Sequence, residues 1–194
     1  MAGCLRFSLA SLACLMLALL PAEGATAHIT WTITPGTQTY VNDQTKIGFA
    51  KSVGGFRLHE ANPAKADGSA TFFYWGKRGI ITVYFAHRGP MGCGPGVDCA
   101  RRDVEGFRAE MKRLHGKFDL ERAFRLQRRG SKNIGWGAVY HFLAFPNGTG
   151  RPVYSEVGAV EAGDFVFSYR GTFVDKAGLD DLARFVGTFG VTRR

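Results

Sequence analysis

Apolar and polar residues follow three rhythms along this chain. From Leu9 to Leu20 the run is almost unbroken apolar, with Ser11 its interruption and Pro21 its end. Beyond residue 28 the commonest rhythm is alternation with period two, which in a strand sends successive side chains to opposite faces. Residues 29–33, 46–50 and 55–59 are short runs of this kind. Residues 70–75 and 80–87 form the clearest pair: Ile81, Val83 and Phe85 share one face, and Thr82 and Tyr84 the other. Gly76-Lys77-Arg78-Gly79 between them predicts a hairpin turn. Alternation resumes over 118–127, 136–145, 153–161 and 164–173. Between these runs lie Gly130-Ser131-Lys132-Asn133, Pro146-Asn147-Gly148 and Ala162-Gly163, all turn chemistry.

The third rhythm is helical and occurs twice. Val104, Phe107, Met111 and Leu114 recur at helix spacing, with Asp103 placed to cap the start and Gly116 to stop the end. Arg108, Lys112 and His115 fall on the opposite face. A second stripe, Leu179, Leu182, Val186 and Phe189, follows Asp175 as its cap. Connections between the strands are too short for parallel crossovers. The expected fold is therefore α+β: one antiparallel sheet with two helices packed on it, in a single domain.

The amino terminus adds an address. Arg6 precedes the apolar run, and Ala25-Thr26-Ala27 supplies the small residues of a cleavage site, so residues 1–27 read as a secretory signal peptide. The run is short of the about 20 residues a spanning helix needs. Removing 27 of 194 residues leaves 167, residues 28–194, as one exported periplasmic or extracellular domain. A content of 45% hydrophobic and 13% aromatic residues is ample for a core and argues against disorder. The formal charge of +9 is concentrated: residues 101–132 carry eleven Lys and Arg against five acids. Arg101, Arg102, Arg108, Lys112 and Arg113 are the candidate residues for binding an anionic partner by field. In an exported protein that partner is an envelope component, a lipid headgroup or polymer, or another protein; nucleic acid fits that compartment poorly.

Candidate chemistry is sparse. Cys4 and Cys14 leave with the signal, and Cys93 and Cys99, bracketing Gly94-Pro95-Gly96, are expected to form a disulfide. That bond removes both thiolates, and with them a nucleophile, a redox pair and a zinc site built with His87 and Asp98. Ser155 and Ser168 lie mid-strand, where a solvent-facing hydroxyl is the ordinary case, and no Gly-x-Ser-x-Gly elbow or phosphate loop occurs. Glu156 and Glu161 share a strand at odd spacing and so cannot act as a carboxylate pair. One metal alternative remains: cleavage after Ala27 exposes His28, whose amine and imidazole, with His59, His87 or His141, suit copper. Apart from that alternative no cofactor is called for, and the motifs point to a non-enzymatic protein. Alternate rings of Phe72, Phe73, Tyr74 and Trp75 must face opposite sides of their strand, so some aromatic surface could form a cleft for a small ligand instead of core.

The order of strand hairpin, basic helix, further strands and closing helix is similar to small exported or lumenal proteins of the PsbP-like fold. Val53-Gly54-Gly55-Phe56 and Ile81-Thr82-Val83-Tyr84 also resemble stretches of uncharacterised bacterial secreted proteins. The resemblance implies a helix-covered sheet and assigns no functional residue.

Overall fold

The computed structural model describes residues 31–63, 67–94, 98–115, 118–143 and 151–194. Residues 1–27, expected to be a signal peptide, His28, Gly94-Pro95-Gly96 in part, Gly116 and the expected Pro146-Asn147-Gly148 turn lie outside them. In chain order the elements are β1 (Trp31–Thr34), β2 (Thr39–Asn42), β3 (Gly48–Phe49), β4 (Ser52–Val53), β5 (Phe56–Asn62), β6 (Ala70–Trp75) and β7 (Gly79–His87). There follow α1 (Cys99–His115), β8 (Asp119–Arg128), β9 (Ile134–Leu143), β10 (Pro152–Ala162), β11 (Phe165–Phe173), α2 (Ala177–Gly187) and β12 (Val191–Arg193).

Nine strands form one antiparallel sheet in the order β12-β8-β9-β10-β11-β7-β6-β5-β4, and β1-β2-β3 form a second. Of the described residues 52% are in strands and 19% in helices. This corrects the α+β expectation: the protein is β-rich, a curled sheet with a smaller sheet and two helices against it. The strand runs read from the sequence already outweigh its two helices, and short strands add to them. β2, β4 and β12 have four, two and three residues, too few for alternation to register, and their pairing comes from distant partners.

Two cores follow from the pleat. On one face Phe72, Tyr74, Phe85, Phe165, Phe167, Tyr169 and Phe173 meet α2 through Leu179, Leu182, Phe185 and Val186. The small sheet joins them there: Phe49 stacks on Phe72 at 4.0 Å between ring centroids, and Trp31 meets Phe85 edge-on at 5.6 Å. On the other face α1 places Ala100, Val104 and Met111 over Ala138, Tyr140, Val157, Ala159 and Val166. Backbone and ring come very close at Gly158, where a Cβ would lie 2.5 Å from the Tyr169 ring, so only glycine leaves Tyr169 room to lie flat.

Two helix details differ from expectation. α1 begins five residues early, at Cys99, because Asp98 caps it: its carboxylate accepts the Arg101 N–H at 2.9 Å. Asp103 is consequently inside the helix and half-buried. Its carboxyl is pushed up by burial, with a hydrogen bond from Ser168 opposing. Leu114, expected inward, is 37% exposed, and His115, expected on the opposite face, is half-buried in its place, extending the inner stripe of 100, 104, 107 and 111. In α2 the N-cap position falls to Lys176, one residue after the expected Asp175, whose carboxylate still accepts the Gly178 N–H at 3.1 Å.

Candidate functional site

α1 lies over β9, β10 and β11, and its flank borders the start of β8. At 100° per residue, Arg101, Glu105, Arg108 and Lys112 fall within one narrow stripe on that flank, while Arg102 and Arg113 point further outward. All six are exposed. Across from the stripe, strand alternation puts Leu120, Ala123 and Arg125 of β8 on the helix-bearing face, opposite Tyr140, Ala138 and Trp136 of β9. Arg108, Lys112, Phe118 and Leu120 line the resulting groove of about 670 Å³, together with Glu105, Ala109 and Asp119.

Trp136 lies beyond the groove's lining, beside the helix start. Its indole N–H donates to the Asp98 carboxylate at 2.7 Å, tying the helix start to the sheet. The Arg125 guanidinium carbon stands 3.1 Å from the ring centroid and that of Arg101 5.2 Å, both within cation–π range. Arg101 also pairs with Glu105 at 2.8 Å. Arg102 turns away from the groove and donates to the Gly92 carbonyl at 3.3 Å. Among the described residues, Arg108, Lys112 and Arg125 have no ion-pair partner. The five cations read from the sequence thus divide. Arg108 and Lys112 line the groove, Arg101 continues their stripe over Trp136, and Arg102 and Arg113 point away. Sequence reasoning missed Arg125, Trp136, Phe118 and Leu120, although alternation along 118–127 puts Arg125 on the same face as Leu120 and Ala123 once the bulge between Leu120 and Arg122 is allowed for.

The remaining candidates are structural. Cys93 and Cys99 are joined, with Cα atoms 5.9 Å apart, which anchors the start of α1 to the end of β7. Ser155 and Ser168 are buried, not solvent-facing: Ser155 donates to the Gly171 carbonyl at 3.1 Å, and Ser168 reaches Asp103. Glu156, fully buried, accepts from the Tyr169 hydroxyl at 2.9 Å and pairs with Arg193, while Glu161 pairs with Arg88. His59 stacks on Trp75, His87 accepts from the Gly89 N–H, and His141 stacks on Tyr154. Among the described residues no three His, Cys, Asp or Glu side chains converge as metal ligands. Nor is any described helix long and apolar enough to cross a membrane.

No known family matches the chain in a scan against family profiles, and a search of curated proteins finds no similar sequence.

Proposed function

We propose that residues 1–27 direct export and are removed, and that the domain acts without catalysis as a binding protein for an anionic component of the bacterial cell envelope. The groove between α1 and β8 is the contact. The observation that carries this is the stripe of Arg101, Arg108 and Lys112 along the helix flank: Arg108 and Lys112 line the groove, and Arg101 meets Arg125 over Trp136 beside it. With the Trp136 end included, Arg101, Arg108, Lys112 and Arg125 stand against Asp98, Glu105 and Asp119 and leave one net positive charge, and Phe118 and Leu120 add an apolar floor for sugar rings or acyl carbons. Long-range attraction falls sharply with salt, because the screening length shrinks from about 10 Å at 0.1 M to about 3 Å at 1 M.

Flotation with vesicles of anionic and of zwitterionic lipid, and gel shift with soluble envelope polyanions, test the reading at low and high salt. Binding to an anionic species at low salt, lost at high salt and in Arg108→Glu/Lys112→Glu, is the expected result. Binding that ignores salt, or none to any polyanion, overturns it.

A further inference from the structure

The face of the large sheet that carries α1 is only partly covered, and where the helix ends a cavity of about 290 Å³ opens. Strand register builds it. Ile80 of β7 pairs with Thr172 of β11, and Thr82 with Arg170, so two hydroxyls and a guanidinium stand beside an apolar side chain on one face. Tyr84 continues the β7 row. Phe142 and Val153, themselves partners across β9 and β10, supply further apolar wall. His115, the last residue of α1, also lines the space, its ring 4.2 Å from Phe142.

Charge in this cavity is one-sided. Arg170 is half-buried, and its guanidinium donates to the Met111 thioether at 3.0 Å, a weak acceptor. Among the described residues no carboxylate pairs with it, and no acid lines the cavity. Asp103 and Glu110 act on Tyr84 from α1 without lining the space. Burial, aided by Arg170, holds the His115 imidazole below its ordinary range, and burial holds the Tyr84 phenol above its own. At neutral pH the cavity therefore presents one full positive charge, hydroxyl donors and apolar walls.

We propose that this cavity binds a small amphiphilic monocarboxylate, its carboxylate on Arg170 beside Thr82 and Thr172 and its apolar body against Ile80, Phe142 and Val153. Arginine presents paired donors that match a carboxylate. A phosphate monoester, carrying nearly two charges, would leave one without a counter-ion. The volume sits at the low end of small-molecule pockets, which run from about 300 to 1,000 Å³, so the body is a short acyl chain or a single ring. Beyond Ile80 its cross-strand neighbour Trp75, 55% exposed, offers a landing surface for a chain that protrudes. This ligand is distinct from the envelope partner of the α1–β8 groove, and different residues hold it.

Calorimetric titration of the mature protein with octanoate, octanamide and octyl phosphate tests this. Octanoate is expected to bind at least about tenfold tighter than octanamide, since a charge-assisted hydrogen bond is lost with the charge. Arg170→Gln should remove that preference and leave octanamide unchanged. Val153→Trp, which fills the cavity and keeps the guanidinium, should weaken both. Arg108→Glu/Lys112→Glu should leave octanoate binding as it is, which separates this site from the groove. Equal affinity for acid and amide, no octanoate binding at millimolar concentration, tighter binding of octyl phosphate, or unchanged binding in both cavity variants each overturns the proposal. Should Arg170→Gln fail to fold by near-ultraviolet circular dichroism, the acid–amide comparison on the unaltered protein and Val153→Trp decide.

Discussion

Replacing Arg193 by Met isolates the most consequential buried charge in the molecule. Glu156 has no exposed surface, and its carboxylate is held by the Arg193 guanidinium and the Tyr169 hydroxyl. Removing one partner of a buried ion pair costs roughly 3–5 kcal/mol, because the other charge is left without compensation. The Arg193 side chain is 26% exposed, so the pair is not sealed from water and the lower figure, about 3 kcal/mol, is expected. In a domain of this size that lowers Tm by roughly 6–12 °C.

The pH dependence supplies the signature. Burial, only partly offset by Arg193 and Tyr169, pushes the Glu156 carboxyl above its ordinary value of 4.5. A carboxyl with a folded value above its unfolded one gives most stability when protonated, and loses it as pH rises through the folded value. Without Arg193 the folded value climbs further. The deficit of Arg193→Met relative to wild type should therefore be small near pH 4, and grow to its full size by pH 7.5. Glu156→Gln/Arg193→Met keeps an acceptor for Tyr169 without the charge, and should recover most of the loss at pH 7.5. Urea denaturation of wild type, both single variants and the double variant at both pH values measures this. A deficit equal at both pH values, or a double variant no more stable than Arg193→Met, would refute the reasoning.

Two further outcomes are expected. Thiol titration of unfolded, unreduced protein from its own compartment should find no free thiol at Cys93 or Cys99, and Cys93→Ser/Cys99→Ser should lose about 2 kcal/mol, the entropy of so short a loop; two reactive thiols would reopen the loop as a reactive site. On α1, Met111→Ala should cost roughly 2–5 kcal/mol because Met111 is fully buried, and Leu114→Ala well under half of that because Leu114 is partly exposed; equal losses in denaturant titration would mean that the helix is phased differently.

Half of the site is legible in the amino-acid order. Helical spacing alone puts Arg108 and Lys112 on one stripe, and charge counting marks the segment. The other half is not, because Arg125 lies across a strand pair from Trp136 and next to a helix that precedes both in the chain. No local pattern encodes that neighbourhood. The same holds for the cavity: Arg170 reads as an ordinary strand cation until register sets it beside Thr82, and α1 ends near it without covering it.

Short-range physics governs everything that the residue order settled unaided. Alternation placed β6 and β7 within a residue, because one buried face of a strand enforces period two whatever its partner; β10 and β11, buried on both faces, were delimited by the turn residues between them. Cysteine spacing paired Cys93 with Cys99, and helical periodicity found both helices. Long-range pairing did the rest. It joined β12 to β8 and β2 to β1, and β12 and β2 are too short to be recognised alone. It buried Ser155, Ser168 and Glu156, and it chose which cations face a groove. A polar side chain is driven inward only where a distant partner satisfies it, and that partner is supplied by the fold.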